Sequence, residues 1–265
     1  PYRVAAGGSW AYISVHSLFH GKEIERTLEQ EKFDILHVHE PFMPFLPIMT
    51  VNQSDTVNIA TFHAAKDKGN IWYQICRNAP VIKGWMERTM ERLDGMICVS
   101  PSAERHITRY FPEYAPSISI IPNFIDVDRF SSAEHLEEFN DGKVNILYVG
   151  RLEKRKGITY LLHAYGNIAP HSDVRLIIVS SSGNLRHVCD RIIDERGLRD
   201  IVFANNVPDE DLPKYYNTAH VVCAPSTMNE SFGYVLIEAM AAGKPIIASR
   251  IPGYEDVVKN GEGVL

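Results

Sequence analysis

Two short stretches carry residues whose types and spacing could do chemistry on a phosphorylated ligand. The first is Gly150-Arg151-Leu152-Glu153-Lys154-Arg155-Lys156-Gly157, four cations between two glycines, directly after an apolar run ending at Val149. Placed at the carboxyl end of a strand, Arg151 can fork onto a diphosphate and Lys156 can act as a point charge. The bland alternative is a solvated basic loop. The second stretch runs from Pro225 through Glu230-Ser231-Phe232-Gly233 to Glu238 and Gly243. A loop feeding a helix start leaves backbone N–H groups pointing outward, which suits phosphate, and Gly233 lets that backbone come close. Glu238 lies roughly 9 Å from the helix start at ~1.5 Å per residue. That reach fits ribose hydroxyls at Glu238 and a hexose at Glu230; the bland alternative is a capping acid and a solvated helix residue.

The elements that must hold these loops are legible as alternation. Short Val/Ile/Leu-rich runs, among them 34–39, 57–62, 95–99, 117–121, 144–149, 174–179, 201–204, 221–224 and 245–249, are separated by segments of helical period. This is the pattern of parallel strands with crossover helices, an α/β chain. Helices are expected at 83–93, 102–110, 158–168, 185–195 and 231–242, with caps such as Ser100-Pro101-Ser102 and Asp209 ahead of Leu212. Periodicity is weakest between Asp126 and Gly142, so domains are expected at 1–130 and 143–265. Ligands of open α/β sheets sit beyond the carboxyl ends of strands, where both loops fall.

Composition narrows the ligand. The 265 residues are 45% hydrophobic with a formal charge of −6, enough for a sizeable core and unlike a nucleic-acid-binding surface. Any anion must meet a local basic cluster. Cys76, Cys98, Cys189 and Cys223 lack metal-type spacing and read as core thiols of a reducing compartment. No apolar run spans a membrane and the first residues lack a signal-peptide layout, so a cytoplasmic location is expected. The triplets Asp126-Val127-Asp128 and Asp209-Glu210-Asp211 could hold a metal; their places in a turn and at a helix start account for them locally. The segment 71–93 mixes Trp72, Tyr73, Trp85 and Met86 with Arg77, Lys83, Arg88 and Arg92. A helix packed on the sheet is favoured over one resting on an anionic membrane.

Taken together, these features resemble glycosyltransferase family 4 over nearly the whole chain. The resemblance rests on Phe33-Asp34-Ile35-Leu36-His37-Val38-His39-Glu40-Pro41, Ala60-Thr61-Phe62-His63, Ile121-Pro122-Asn123, Gly150-Arg151 with Lys156-Gly157, and Glu230-Ser231-Phe232-Gly233 through Glu238-Ala239. Within the family, His37-Val38-His39-Glu40-Pro41, Cys223-Ala224-Pro225 and Glu238-Ala239-Met240-Ala241-Ala242-Gly243 are most like the phosphatidylinositol mannosyltransferases. It implies a GT-B fold, two Rossmann-like domains facing across a cleft, and a retaining, metal-independent hexosyl transfer. No cofactor is implied. The donor is a nucleotide-diphosphate sugar, GDP-mannose favoured over UDP-sugars, and the acceptor is a lipid or small molecule, with peripheral attachment at the inner membrane face. By this resemblance Arg151 and Lys156 hold the diphosphate beside Gly150, and Glu238 binds ribose. Glu230 with Ser231 and the Phe232-Gly233 backbone holds the sugar, and His63 faces it from the other domain. The backbone near Asn206-Val207-Pro208 is where a base could be read. Without an evident nucleophile–acid carboxylate pair, a front-face displacement is expected, its main task the stabilisation of the leaving diphosphate.

Both ends read as cut: Gly261 to Leu265 is a turn entering another strand, and too few residues separate Gly7-Gly8 from Asp34 for the family's opening βα units. Gly7-Gly8 is therefore expected to be an ordinary turn. A catalytically inactive nucleotide-sugar-binding fragment is the alternative reading, favoured for this piece by the missing glycine-rich loop and opposed by the intact Arg151, Lys156, Glu230 and Glu238.

Overall fold

The computed structural model describes residues 2–6, 9–13, 21–42, 46–65, 79–181 and 183–258. Gly7-Gly8, Cys76, the aromatic residues at 72 and 73, and the Gly261–Leu265 stretch lie outside the described residues. The chain divides into two compact units, Pro1–Pro122 and Asn123–Leu265.

In the first unit, β1 (Tyr2–Ala6) and β2 (Ser9–Ile13) form an antiparallel ladder with Ala6 opposite Ser9. The sequence reading had not assigned either strand. Helix α1 (Gly21–Glu31) leads to a parallel sheet of β3 (Ile35–His39), β4 (Val57–Phe62), β5 (Gly95–Cys98) and β6 (Ile118–Ile120), paired in chain order. The crossovers carry α2 (Leu46–Gln53), α3 (Pro80–Glu91) and α4 (Pro101–Thr108). Ser100 caps α4 through a hydrogen bond from the Ala103 amide, with Pro101 inside the first turn, as the sequence predicts. Met86 and Met90 of α3 are buried in a core with Phe62, Met96, Cys98 and Phe111, whereas Trp85 is 48% exposed. The described part of the 71–93 segment is thus a helix with an apolar face packed inward.

The second unit is a five-stranded parallel sheet in the order β11-β10-β7-β8-β9. Its strands are β7 (Val144–Val149), β8 (Val174–Ser180), β9 (Ile201–Asn205), β10 (Val221–Ala224) and β11 (Ile246–Ala248). The crossovers carry α6 (Ile158–Ile168), α7 (Arg186–Arg196), α8 (Leu212–Thr218) and α9 (Tyr234–Ala241). Because strand side chains alternate, β7 and β8 feed two cores: Leu147, Ile177 and Val179 on one face, Ile146, Tyr148, Leu176 and Ile178 on the other. All of β8 is buried. At about 1.5–3 kcal/mol per buried aliphatic side chain, these two faces dominate the stability of the unit.

The stretch from Asp126 to Gly142, where the boundary is expected, belongs with the second unit, which begins at Asn123. Asp126 caps α5 (Val127–Ser131) by accepting from the Arg129 amide, Phe130 packs edge-on to Tyr216, and Asp141 pairs with Arg175 of β8. Phe130 and Phe139 supply the apolar anchors that the sparse periodicity hid.

Chain progression reverses beside β7: β8 and β9 lie to one side, β10 and β11 to the other. The β7/β10 pair is therefore the topological switch point, where an open sheet leaves a crevice at its carboxyl edge. The loops 150–157 and 225–233 leave that edge side by side. Gly157 has φ 72°, and a Cβ there would sit 1.8 Å from the Pro225 carbonyl oxygen. Gly197, with φ 59°, has nothing within 4 Å of its position. We therefore expect Gly197→Ala to cost only about 1 kcal/mol of left-handed strain. Gly157→Ala should cost more than ~3 kcal/mol, since a backbone atom must give way. Urea unfolding of the two variants measures the difference.

Candidate functional site

The loop after β7 turns through a 3₁₀ segment, Lys154–Lys156, ended by left-handed Gly157, which also starts α6. Its neighbour is stitched to it by a hydrogen bond from the Thr227 amide to the Arg155 carbonyl, 2.8 Å. This pairing brings Glu230 against the cations. Its Oε1 lies 2.8 Å from Arg155 Nη1 and 2.7 Å from Lys156 Nζ, and it accepts from the Ser226 hydroxyl at 3.2 Å. Ser226 in turn accepts from Tyr254 Oη at 2.9 Å.

The Glu230 backbone is fixed from behind by α10 (Pro252–Glu255): a Cβ on Gly253 would stand 1.9 Å from the Glu230 carbonyl oxygen. Arg151, its side chain about a third exposed, makes an ion pair from Nη1 to Glu153 Oε1 at 3.0 Å. The Glu153 carboxylate is buried and also faces Arg155 Nε at 3.2 Å. Three cations, Arg151, Arg155 and Lys156, thus surround two carboxylates, Glu153 and Glu230. The surplus of one positive charge, in a place with little water, favours an anion.

Helix α9 starts at Tyr234, three residues later than the expected Ser231. Gly233, at φ 92°, is its N-cap without a side-chain cap, and Phe232 is buried with its ring edge-on to Tyr234. The corrected start places Glu238 four residues in, about 6 Å along the axis. Ser231 and Phe232 form a bend ahead of left-handed Gly233. Glu238 is neither solvated nor a cap: it is half-buried and accepts from Tyr216 Oη at 2.6 Å. Burial raises its pKa, the Tyr216 hydrogen bond opposes that, Asp209 adds to it and Arg129 opposes it. Gly150 sits at the end of β7 with its amide on the Val179 carbonyl. Val207 follows β9, two strands away from β7 on the same edge of the sheet, after left-handed Asn206. Of the Asp-x-Asp triplets, Asp126 is spent on a cap, and Asp209 opens a 3₁₀ turn and pairs with Arg129 at 2.8 Å.

His63 follows β4 in the first unit. Its Nε2 meets His39 Nδ1 at 2.7 Å, His39 stacks on His37 with ring centroids 4.7 Å apart, and His37 Nε2 contacts Thr61 Oγ1 at 2.8 Å. Glu40 Oε1 accepts from the His63 and Ala64 amides, both at 2.6 Å, and so fixes the turn out of β4. Burial lowers the pKa of His63, and His39 and His37 lower it further; His37 is lowered by burial and by His39.

Sequence reasoning picked out Lys156 and Glu230, which the structure brings together, and Arg151 beside them. It missed Glu153, the contact of Arg155, Ser226, Tyr216, Gly253 and Tyr254. A single acid inside a four-cation run was the one available signal, for Glu153. The others depend on pairings between residues far apart in sequence.

The fold and these loops agree with comparisons to known proteins. The profile described as "Glycosyl transferases group 1" matches residues 132–265, and that of "Glycosyltransferase Family 4" matches residues 5–129. The chain belongs to the group 1 glycosyl transferases, its first unit being of the family 4 type. The phosphatidyl-myo-inositol mannosyltransferase of Mycobacterium tuberculosis is 33% identical over 245 residues, 91% of this chain and 61% of that protein. The protein of that name from Mycobacterium leprae is 32% identical over 259 residues, 96% of this chain and 65% of its own. The chain therefore spans less than two thirds of the length of these relatives.

Among solved structures, HepE of Anabaena in complex with UDP and glucose has a TM-score of 0.76 at 18% identity, with 95% of this chain and 68% of that chain covered. A glycosyltransferase of Rickettsia africae gives 0.72 at 20%, covering 92% and 65%. These likenesses show the GT-B fold class, two Rossmann-like α/β units.

Two pH dependences follow from these environments. A carboxyl whose folded pKa is raised loses stability as pH climbs past its ordinary value, 4.5 for Glu238. Glu238→Gln, which keeps an acceptor for Tyr216, is expected to raise the melting temperature at pH 7, the gain vanishing below pH 4.5. The histidines have the opposite sense. Their lowered folded pKa gives stability that is present above the ordinary 6.5 and lost as pH falls through it toward the folded values. A melting-temperature profile should show that acid-side loss reduced in His63→Gln.

Proposed function

We propose that this chain is the glycosyl-transferring part of a retaining, metal-independent hexosyltransferase. It would move mannose in preference to other hexoses from a nucleotide-diphosphate sugar, GDP-mannose before UDP-sugars, to a lipid or small-molecule acceptor. The observation that carries this reading is the convergence of Lys156 and Glu230 at the switch point, 2.7 Å apart. A cation suited to diphosphate and a carboxylate suited to sugar hydroxyls share one edge of one sheet.

In this reading the diphosphate lies against Arg151, Lys156 and Gly150, near the uncapped start of α9. Glu238 takes the ribose, Glu230 with Ser231 and the Phe232-Gly233 backbone the hexose, Val207 lies by the base, and His63 serves the donor sugar. As the bond to the anomeric carbon breaks, negative charge grows on the leaving diphosphate, and the fixed cations stabilise it without reorganising. The acceptor oxygen bonds to the anomeric carbon on the face the diphosphate leaves, which keeps the anomeric configuration, and its proton passes to the departing diphosphate oxygen. Mannose is favoured because the relatives at 32–33% identity are named as mannosyltransferases of phosphatidyl-myo-inositol. The UDP and glucose of the HepE complex mark the competing donor. Among the described residues no helix is long and apolar enough to cross a membrane.

Transfer of labelled hexose from GDP-mannose or UDP-glucose, with phosphatidylinositol vesicles or a soluble polyol as acceptor, tests the reading. Arg151→Ala is expected to lower kcat by about 10²–10³, the range for removing one preorganised charge-stabilising donor. The KM for the donor should change much less. Full turnover in that variant would remove the role given to Arg151.

A further inference from the structure

The cluster at the switch point contains more than the diphosphate and sugar contacts require, and its layout is directional. Each of the three protein contacts on Glu230, from Arg155, Lys156 and Ser226, falls on Oε1, and Oε2 takes none of them. Arg155 is also ion-paired on its other side, its Nε 3.2 Å from Glu153 Oε2, a buried oxygen that takes no hydrogen bond. Arg155 is more deeply placed than Arg151, with its side chain 13% exposed against 36%. Its carbonyl also accepts from the Thr227 amide of the Glu230 loop. The planar guanidinium hydrogen-bonds Glu230 through Nη1 while the buried charge of Glu153 attracts it from the Nε side, which limits how Arg155 can turn. An ammonium in the same place would bind both only as a point charge.

We propose that Arg155, braced by the buried carboxylate of Glu153, is a positioning residue that sets which oxygen of Glu230 faces the ligand. The specificity it confers is for the sugar portion of a nucleotide-diphosphate sugar. With Oε1 engaged by Arg155, Lys156 and Ser226, Oε2 is left to accept from sugar hydroxyls. Two features make the pairing rigid: Glu230 is backed by Gly253, and Glu153 is buried between Arg151 and Arg155. Loss of Arg155 would leave Glu230 with Lys156 and Ser226 only and free its carboxylate to rotate, so that Oε2 is no longer a fixed acceptor for the sugar. The nucleoside diphosphate would be held as before by Arg151 and Lys156. This inference rests on the glycosyl-transfer reading above and deepens it.

The test is a calorimetric comparison of GDP-mannose with GDP and of UDP-glucose with UDP, on the whole chain and on Arg155→Met, Arg155→Lys and Glu153→Gln. The quantity read is the ratio of nucleotide-sugar to nucleoside-diphosphate affinity. Arg155→Met is expected to lower that ratio about tenfold, the scale of one charge-assisted hydrogen bond, with nucleoside diphosphate affinity within about threefold of wild type. Arg155→Lys should fall between the two, and Glu153→Gln, which keeps the shape of the brace but not its charge, should shift the ratio in the same direction. Parallel loss of both ligands in a variant that melts like wild type would overturn the positioning role, as would an unchanged ratio in Arg155→Met. An unchanged ratio in Glu153→Gln alone would overturn the brace. A wild-type chain that binds none of the four ligands would remove the glycosyl-transfer reading itself, and the positioning role with it.

Discussion

The contact on which the second unit's chemistry depends is the approach of two backbones, Gly157 against the carbonyl of Pro225. Parallel pairing of β7 with β10 sets the loops side by side, but only a residue without a side chain lets them touch. That contact, and the Thr227–Arg155 hydrogen bond next to it, bring the ends of Lys156 and Glu230 within an ion-pair distance. Buried charges are costly unless each has partners, and here the partners come alternately from the two loops. Glu153 serves Arg151 and Arg155 within one loop, and Arg155 and Lys156 serve Glu230 across the gap. The hydrogen bond from Tyr254 to Ser226 ties the outer end of the chain of contacts to α10.

The same sheet explains why the site can be rigid. With β8 buried throughout and cores on both faces, the carboxyl edge cannot tilt without disturbing two packed layers. The segment 123–142 adds to this from outside the sheet, since Phe130 and Phe139 pack in one of those layers and Asp141 holds Arg175. A stretch poor in periodicity is therefore part of the second unit's foundation.

Much of this was legible in the sequence because its signals are local. Strands such as Val144–Val149 and Val221–Ala224 are short apolar runs bounded by polar loops, and their limits emerge as read. The Ser100-Pro101-Ser102 cap is a three-residue pattern, and the Gly150-Arg151 start of the cationic loop is shorter still. What escaped depends on neighbours distant in the chain. Glu153 looks like one acid among cations until burial makes it their shared counterion. Gly253 matters only because Glu230 lies behind it, and Tyr216 only because Glu238 leans on it. The late start of α9 at Tyr234 escaped for a different reason: Ser231-Phe232 has ordinary helical character, and left-handed Gly233 overrides it. Strands β1 and β2 flank the small residues Ala5-Ala6-Gly7-Gly8-Ser9 and lack the continuous Val/Ile/Leu run that marks the others.

The sequence separation of 75 between Arg155 and Glu230 has a consequence for the making of the protein. Contacts so distant in sequence form only after the intervening α6, β8, α7, β9 and α8 have been laid down. During synthesis, Arg151, Arg155 and Lys156 emerge long before Glu230, so a growing chain carries a cluster of cations with only Glu153 to offset it. Completion of β10 and the loop after it brings Glu230 to that cluster as a second internal counterion, and a ligand that binds only the finished site stabilises this last non-local step of folding.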